Sequence, residues 1–318
     1  MSLITESKAY KPFRYPWAYE AWLQQQRVHW LPEEVPMADD IRDWKTKLTE
    51  SEKNLLTQIF RFFTQGDIEV NDCYMQHYMR VFKPVEVKMM LSAFSNIESV
   101  HVASYSHLLD SLGMPESEYS AFLGYDQMRN KSNYMKRFNT DNPYDIALTL
   151  AAFGAFTEGL QLFSSFAILL NFPRFNKLKG MGQIIAYSVR DETLHCENII
   201  KLFHTWVQEN PEIDKGKLHK DLLDICMEIL DIEDNFIDLA FEQGGVEGLA
   251  PEEVKQYIRY IAQRRLQQLG IADLIYDLPN PLPWLDTELN GVEHANFFEA
   301  KVTGYTKAAT TGDWGDAF

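Results

Sequence analysis

The stretches Glu98-Ser99-Val100-His101 and Glu192-Thr193-Leu194-His195 repeat one spacing, Glu-x-x-His, at two distant points of the chain. Both lie in segments with helical periodicity, and a spacing of three residues places the acid and the imidazole on one face of a helix. A single pair arises readily by chance and then forms an ordinary side-chain contact on a solvated face. Two pairs on separate helices indicate a site to which both helices contribute.

Two further acids strengthen this interpretation. Asp67 follows an aromatic run, and Glu158 stands in the otherwise apolar segment from Ile146 to Phe172. A carboxylate in such surroundings needs a cation, a metal or a proton as its partner. Four helices would then offer six ligands, the arrangement of a ferritin-like two-metal carboxylate site. The six candidates are Asp67, Glu98, His101, Glu158, Glu192 and His195.

The ligand types also indicate which metals would bind. Oxygen-rich ligands with one imidazole per metal favour iron or manganese over zinc or copper. Two divalent cations would offset the mutual repulsion of four carboxylates. The alternative interpretation is a buried polar network that binds no metal.

Helical periodicity recurs along the chain, whereas alternating β-branched runs between tight turns are scarce. We therefore predict an all-α fold, a ferritin-like helical bundle with extra helices. Caps, prolines and glycines set the expected boundaries. Helices are predicted from Thr49 or Ser51 to Phe82, Pro84 to Leu112, Tyr119 to Phe138, Ile146 to Phe172, Met181 to Asn210, Lys217 to Gln243 and Pro251 to Leu269.

Composition excludes several classes of function. The 318 residues are 46% hydrophobic, enough for a substantial core, and a formal charge of -16 argues against binding to a nucleic-acid backbone. The N-terminus lacks the apolar run of a secretory signal. The cysteines show no paired spacing, so we expect neither disulfides nor a cysteine metal site, and a reducing cytoplasm fits best. They are Cys73, Cys196 and Cys226.

The apolar segment from Ile146 to Phe172 is long enough to cross a bilayer. Glu158 and Gln161 lie near its middle, and several hydroxyl side chains dilute it. We therefore expect a helix buried inside a soluble protein and no membrane span.

The predicted organisation is an N-terminal segment (1–16), a helical domain (17–278) and a C-terminal tail (279–318). Three closely spaced prolines open the tail, and its end is small, polar and acidic. The terminal Asp313-Trp314-Gly315-Asp316-Ala317-Phe318 sets two aromatics among acids, a plausible linear motif for a partner's groove. A fraying terminus without function is the alternative.

Tyr105 lies four residues beyond His101 and seven beyond Glu98, so the same helical face directs it toward the predicted metals. A redox role is one interpretation, and an ordinary core tyrosine is the other.

Four stretches carry a resemblance across nearly the whole chain, and their order also agrees. They are Trp30-Leu31-Pro32-Glu33-Glu34-Val35, Glu98-Ser99-Val100-His101 followed by Tyr105, Arg190-Asp191-Glu192-Thr193-Leu194-His195, and Asn296-Phe297-Phe298-Glu299 with Tyr305. With these residues the chain resembles the small, radical-generating subunit of class I ribonucleotide reductase.

The resemblance implies a role for each candidate. Asp67, Glu98 and His101 would hold one metal, and Glu158, Glu192 and His195 the other. Tyr105 matches the family's radical tyrosine. Trp30 and Asp191 match its internal electron route, with Asp191 accepting a hydrogen bond from His101. Tyr305 matches the tail tyrosine that relays the radical to the large subunit, where the C-terminal residues dock.

The expected activity is that of a ribonucleoside-diphosphate reductase, active only with the large subunit, and a homodimer is expected. The metals would activate oxygen or a reduced oxygen species, and the resulting oxidant would serve the partner's reduction of ribonucleotides. No glycine-rich phosphate loop is present, so no nucleotide site is expected. The alternatives are a ferritin-like dimetal oxidase or monooxygenase, and, in another class, a metal storage or interaction protein.

Where the oxidising equivalent rests is a separate question. Ser188 precedes Glu192 by four residues and so faces the metals, where the family often has an aliphatic side chain. A hydroxyl there could hydrogen bond to Tyr105 and admit water, which would shorten the life of a tyrosyl radical. We therefore hypothesise that the oxidant is a high-valent metal pair and not a radical resting on Tyr105.

Overall fold

The computed structural model describes residues 2–271 and 278–286. Within these residues, every named element of secondary structure is a helix. Two of the helices have the wider π geometry. In chain order they are α1 (Pro16–Arg27), α2 (Ala38–Thr46), α3 (Glu50–Asp72), π1 (Cys73–Tyr78), α4 (Met79–Val81), α5 (Val85–Leu112), α6 (Glu118–Ala121), α7 (Asp126–Met135), α8 (Pro143–Leu150), π2 (Ala151–Gln161), α9 (Phe163–Arg174), α10 (Lys179–Glu209), α11 (Lys215–Ala240) and α12 (Pro251–Gln268).

Several helix ends are set by the local signals in the sequence. Thr49 caps α3: its hydroxyl accepts from the Glu52 amide, and the Glu52 carboxylate accepts from the Thr49 amide. Pro84 immediately precedes α5, and Gly113 ends that helix at a φ of 74°, in the left-handed region that favours glycine. These predicted boundaries are confirmed to within one or two residues.

Three predicted helices are interrupted. The stretch from Tyr119 to Phe138 breaks at a 3-10 turn, Phe122–Gly124, before α7 begins. The helix predicted to reach Phe82 widens into π1, and the apolar helix widens into π2 between α8 and α9. A π segment forms hydrogen bonds between residues five apart, where an α-helix forms them between residues four apart, so its turns are wider and the side chains after it are rotated about the axis.

The core of the bundle lies among α3, α5, π2 and α10, which pack side by side. Every residue of π2 is buried. The continuous helical stretch Pro143–Arg174 is long and apolar enough to cross a membrane. However, 94% of its most apolar part is buried inside the protein, as for a core helix. A Cβ on Gly154 would lie 2.3 Å from the Ile199 side chain, so π2 and α10 approach closely there.

The chain divides into two units, Met1–Pro281 and Leu282–Phe318. The N-terminal segment is part of the first unit, where the Leu3 amide donates to Glu209 and the Leu3 carbonyl accepts from the Lys83 amide. Tyr305 and the terminal aromatic motif lie outside the described residues.

A buried ion pair links α7 to α11. Lys131 Nζ lies 2.6 Å from Glu233 Oε1, neither side chain is exposed, and the ammonium also lies 4.2 Å from the Phe62 ring centre. Ser164 donates to the other oxygen of Glu233 at 2.6 Å.

Removing only one partner of this pair leaves a buried charge alone. We expect Lys131→Met to lower the free energy of unfolding by about 3–5 kcal/mol, and Lys131→Met with Glu233→Leu to recover most of it. Lys220→Ala, which breaks a solvent-exposed pair with Asp224, is the matched control and should change little. Urea unfolding followed by circular dichroism measures all three. Equal losses in the single and double variants would contradict the expectation.

Candidate metal centre

Four helical segments bring the six predicted ligands into one buried cluster. Each of these side chains is at most 1% exposed. The contributions are Asp67 from α3, Glu98 and His101 from α5, Glu158 from π2, and Glu192 and His195 from α10. Their ligand atoms fall into two groups, each with all atoms within 4.8 Å: Asp67, Glu98 and His101, and Glu98, Glu158, Glu192 and His195.

Two of the glutamates lie between the histidines. Glu98 places Oε1 3.0 Å from His195 Nδ1 and Oε2 3.5 Å from His101 Nδ1. Glu192 similarly places Oε1 3.3 Å from His101 Nδ1 and Oε2 3.7 Å from His195 Nδ1. Asp67 and Glu158 are terminal, because Asp67 approaches only His101, at 3.9 Å, and Glu158 only His195, at 3.2 Å. The cluster is thus two similar halves joined by two glutamates.

The outer nitrogens of both imidazoles are held by other side chains. His101 Nε2 lies 3.3 Å from Asp191 Oδ2, the contact expected from the sequence. His195 Nε2 lies 3.3 Å from Gln25 Oε1, while the Gln25 amide donates to Asp191 Oδ1 at 3.2 Å. Such partners fix the ring orientation of a metal-binding histidine and raise its basicity. Both Nδ1 atoms therefore face the cluster.

Burial and crowding shift the acid–base properties of the cluster. Burial raises the pKa of Asp67 well above its usual value, and the charge of Glu98 raises it further. Burial also raises the pKa of Glu158 to about 8, although its contact with His195 opposes the shift. Burial opposes protonation of His101, yet its close contacts with the carboxylates of Asp191, Glu192 and Glu98 raise its pKa well above its usual value. The negative charges of Asp67 and Glu158 are thus poorly compensated, and two divalent cations would compensate them.

The unsatisfied atoms of the cluster fit metal binding. Among the described residues, six inward-facing atoms make no hydrogen bond, although buried polar atoms almost always do. They are Asp67 Oδ2, Glu98 Oε1 and Oε2, His101 Nδ1, Glu158 Oε2 and Glu192 Oε2. Carboxylate oxygens with one imidazole nitrogen in each half suit two iron or manganese ions.

Trp30 connects the cluster to the segment after α1. It is 3% exposed, its Nε1 donates to Asp191 Oδ2 at 2.8 Å, and its ring centre lies 6.2 Å from that of His101. Asp191 Oδ2 thus contacts both the indole and the imidazole. Hydrogen bonds from Trp30 and His101, with the charge of Arg190, lower the pKa of Asp191 against the effect of burial. The order Trp30, Asp191, His101 is a continuous hydrogen-bonded route to the cluster.

Tyr105 and Ser188 are in direct contact. The Tyr105 hydroxyl donates to Ser188 Oγ at 2.9 Å, and Ser188 in turn donates to the Ile184 carbonyl at 3.1 Å. The Tyr105 ring centre lies 6.4 Å from that of His101. The hydrogen bond anticipated from the position of Ser188 is therefore present.

Two residues of the site were not found from the sequence. Gln25 bridges His195 and Asp191 from α1, and nothing in its local pattern distinguishes it from its neighbours Gln24 and Gln26. Tyr74 donates to Glu158 Oε1 at 2.7 Å. Its spacing of seven residues from Asp67, two turns along one helical face, was an available signal.

Comparison with known proteins identifies the family. The family model described as "Ribonucleotide reductase, small chain" matches residues 7–281. The chain belongs to this family. It is 44% identical, over 99% of its length and 88% of the relative, to a probable ribonucleoside-diphosphate reductase small subunit of Invertebrate iridescent virus 3.

More distant members agree in sequence and fold. The chain is 30% identical to the ribonucleoside-diphosphate reductase subunit beta of Chlamydia pneumoniae, over 93% of this chain and 89% of the relative. A putative class I ribonucleotide reductase from Bacillus halodurans superposes with a TM-score of 0.80 at 25% identity, covering 86% of this chain and 99% of that one. The ferritin-like all-α fold and the oxidoreductase function of a ribonucleotide reductase small subunit are thus confirmed.

Proposed function

We propose that this small subunit holds two iron or manganese ions and generates with them the oxidant that its large subunit uses to reduce ribonucleotides. The observation that carries the proposal is the pair of joined half-sites, each with one imidazole and with unsatisfied carboxylate oxygens. Bound there, the ions would provide one-electron oxidising chemistry driven by dioxygen or a reduced oxygen species.

Each side chain has a part in this function. Glu98 and Glu192 link the half-sites, while Asp191 and Gln25 hold the two imidazoles in orientation. The buried apolar surface of π2 keeps water from the cluster. Trp30 and Asp191 provide the internal route for an electron and a proton, and Tyr305 relays them to the large subunit.

Reconstitution tests the proposed function. The full chain, loaded anaerobically with Fe(II) or Mn(II), is combined with its large subunit and assayed for conversion of a ribonucleoside diphosphate. We expect two metal equivalents per chain and deoxyribonucleotide formation that requires both subunits. Oxidation of an added hydrocarbon without the large subunit would instead favour the monooxygenase alternative. Metal uptake with neither activity would favour storage.

The oxidant is proposed to rest on the metal pair. The Tyr105 hydroxyl is held by Ser188, a polar neighbour that would shorten the life of a radical there. We expect Tyr105→Phe to retain much of the ribonucleotide reductase activity, and Ser188→Ala to lengthen the life of any Tyr105 radical. Turnover assays and electron paramagnetic resonance (EPR) spectra measure both. An inactive Tyr105→Phe variant, with a sharp organic radical in the unaltered protein, would rule this out.

The tail is proposed to combine relay and docking. We expect Tyr305→Phe to retain metal and affinity for the large subunit but to lose turnover, because only the phenolic hydroxyl is removed. Deleting Gly312 to Phe318 should instead weaken the association, because Trp314 and Phe318 are lost. Both variants are measured by binding titration and by turnover assay, so each variant serves as the control for the other. Normal turnover in the first variant, or unchanged affinity in the second, would contradict the respective role.

A homodimer and a cytoplasmic location are also proposed. Ile68 and Met75 are 41% and 59% exposed on α3 and π1, and Ile68 borders the same surface recess as Val102 of α5. These apolar side chains are candidate contacts in that dimer, since neighbouring exposed apolar residues can mark an interaction surface.

A further inference from the structure

The metal centre has a second buried tyrosine that the proposed mechanism does not use. Tyr74 is 1% exposed and its ring centre lies 6.0 Å from that of His195. Tyr105 has the corresponding distance of 6.4 Å to His101. Each half of the cluster therefore has one tyrosine beside its imidazole.

The two phenols differ in what accepts their hydrogen bonds. Tyr74 donates to a carboxylate oxygen, Glu158 Oε1, at 2.7 Å, whereas Tyr105 donates to the hydroxyl of Ser188 at 2.9 Å. Oxidation of a buried phenol that keeps its proton would leave an uncompensated cation in apolar surroundings, which is costly. A carboxylate can take the proton, and a serine hydroxyl is a much weaker base.

Glu158 can serve Tyr74 and a metal at the same time. Its Oε1 carries the contacts with Tyr74 and His195, whereas its Oε2 makes no hydrogen bond among the described residues. One oxygen is therefore available to a metal while the other remains at the phenol.

We propose that Tyr74 is a second oxidisable tyrosine of this metal centre. The proposal rests on the proposed function, which provides a dioxygen-derived one-electron oxidant at the metal pair. Tyr74 passes one electron to that oxidant, its O–H bond breaks, and its proton passes to Glu158 Oε1. The phenol becomes a neutral phenoxyl radical and the oxidant is reduced by one electron.

Freeze-quench EPR on the full chain tests this. Protein loaded with Fe(II) is mixed with dioxygen and frozen at successive times, with ring-deuterated tyrosine incorporated to identify a tyrosyl signal by its narrowing. We expect a tyrosyl signal in Tyr105→Phe, its loss in Tyr105→Phe with Tyr74→Phe, and its retention in Tyr105→Phe with Tyr78→Phe. Tyr78 is the matched control, since its hydroxyl donates to the Thr149 carbonyl and not to a cluster carboxylate.

The alternative outcomes are distinct. With full iron content, absence of a tyrosyl signal at every time in Tyr105→Phe, or its persistence without Tyr74, overturns the inference. Failure of the unaltered chain to bind either Fe(II) or Mn(II) overturns the proposed function and this inference together. If Tyr74→Phe does not fold or load iron, 3,5-difluorotyrosine at position 74 in the Tyr105→Phe protein replaces it. Fluorine hyperfine splitting then supports the assignment, and an unsplit signal overturns it.

Discussion

Replacement of Glu98 with alanine is expected to remove both metals, whereas replacement of Glu158 removes one. Glu98 is close to both imidazoles, through Oε1 to His195 and Oε2 to His101, and belongs to both ligand groups. Glu158 approaches only His195. Loss of an outer partner of a metal ligand already costs 10- to 100-fold in affinity, so loss of a shared ligand should cost more than about 100-fold at each position.

Metal content after anaerobic loading and gel filtration measures this difference. We expect close to zero equivalents for Glu98→Ala and about one for Glu158→Ala, with unchanged helical circular dichroism. Glu86→Gln is the matched control, because Glu86 is buried on the same helix but accepts from the Arg14 and Tyr15 amides, away from the cluster. Two equivalents retained in Glu98→Ala would show that the joined half-sites are not the metal site.

The fold could be predicted where local signals carry the information. The Thr49 capping box, Pro84 and Gly113 each act within one helical turn, so the sequence near them determines the boundary. The π2 segment could not be predicted in the same way. All its residues are buried, so hydrophobic periodicity does not define a face, and the register is set by neighbours such as Ile199 against Gly154.

The metal centre, like the fold, could be predicted where local spacing carries the information and not where packing between helices decides. The two Glu-x-x-His pairs, with Asp67 and Glu158 on two further helices, indicated a cluster because helical spacing fixes which side chains share a face. The joining positions of Glu98 and Glu192, and the bridge by Gln25, depend on how α1, α5 and α10 pack. No spacing within one helix contains that information. Tyr74 could be predicted only in part. Its spacing from Asp67 is evident in the sequence, but its contact with Glu158 depends on how π1 packs against π2.

Trp30→Phe is expected to abolish ribonucleotide reduction while metal binding persists. The indole of Trp30, in the segment after α1, donates to Asp191 Oδ2 at 2.8 Å, and phenylalanine has no N–H to replace it. Asp191 would keep its contacts with His101, Gln25 and Arg190, so His101 should remain oriented. The lost buried hydrogen bond should cost about 1–3 kcal/mol of stability.

In this variant, turnover should therefore fall while the metal content stays unchanged. We expect turnover with the large subunit to fall by at least about 100-fold, the scale of effect when a reacting group is misplaced by an ångström, with two metals still bound. Trp206→Phe provides the comparison, since that buried indole donates to the Pro143 carbonyl at 2.8 Å, away from the cluster, and should retain activity. If Trp30→Phe turned over normally, the electron would have to leave the cluster by another route. If it lost metal as well, Trp30 would act by orienting His101 through Asp191, and the role of electron carrier would be wrong.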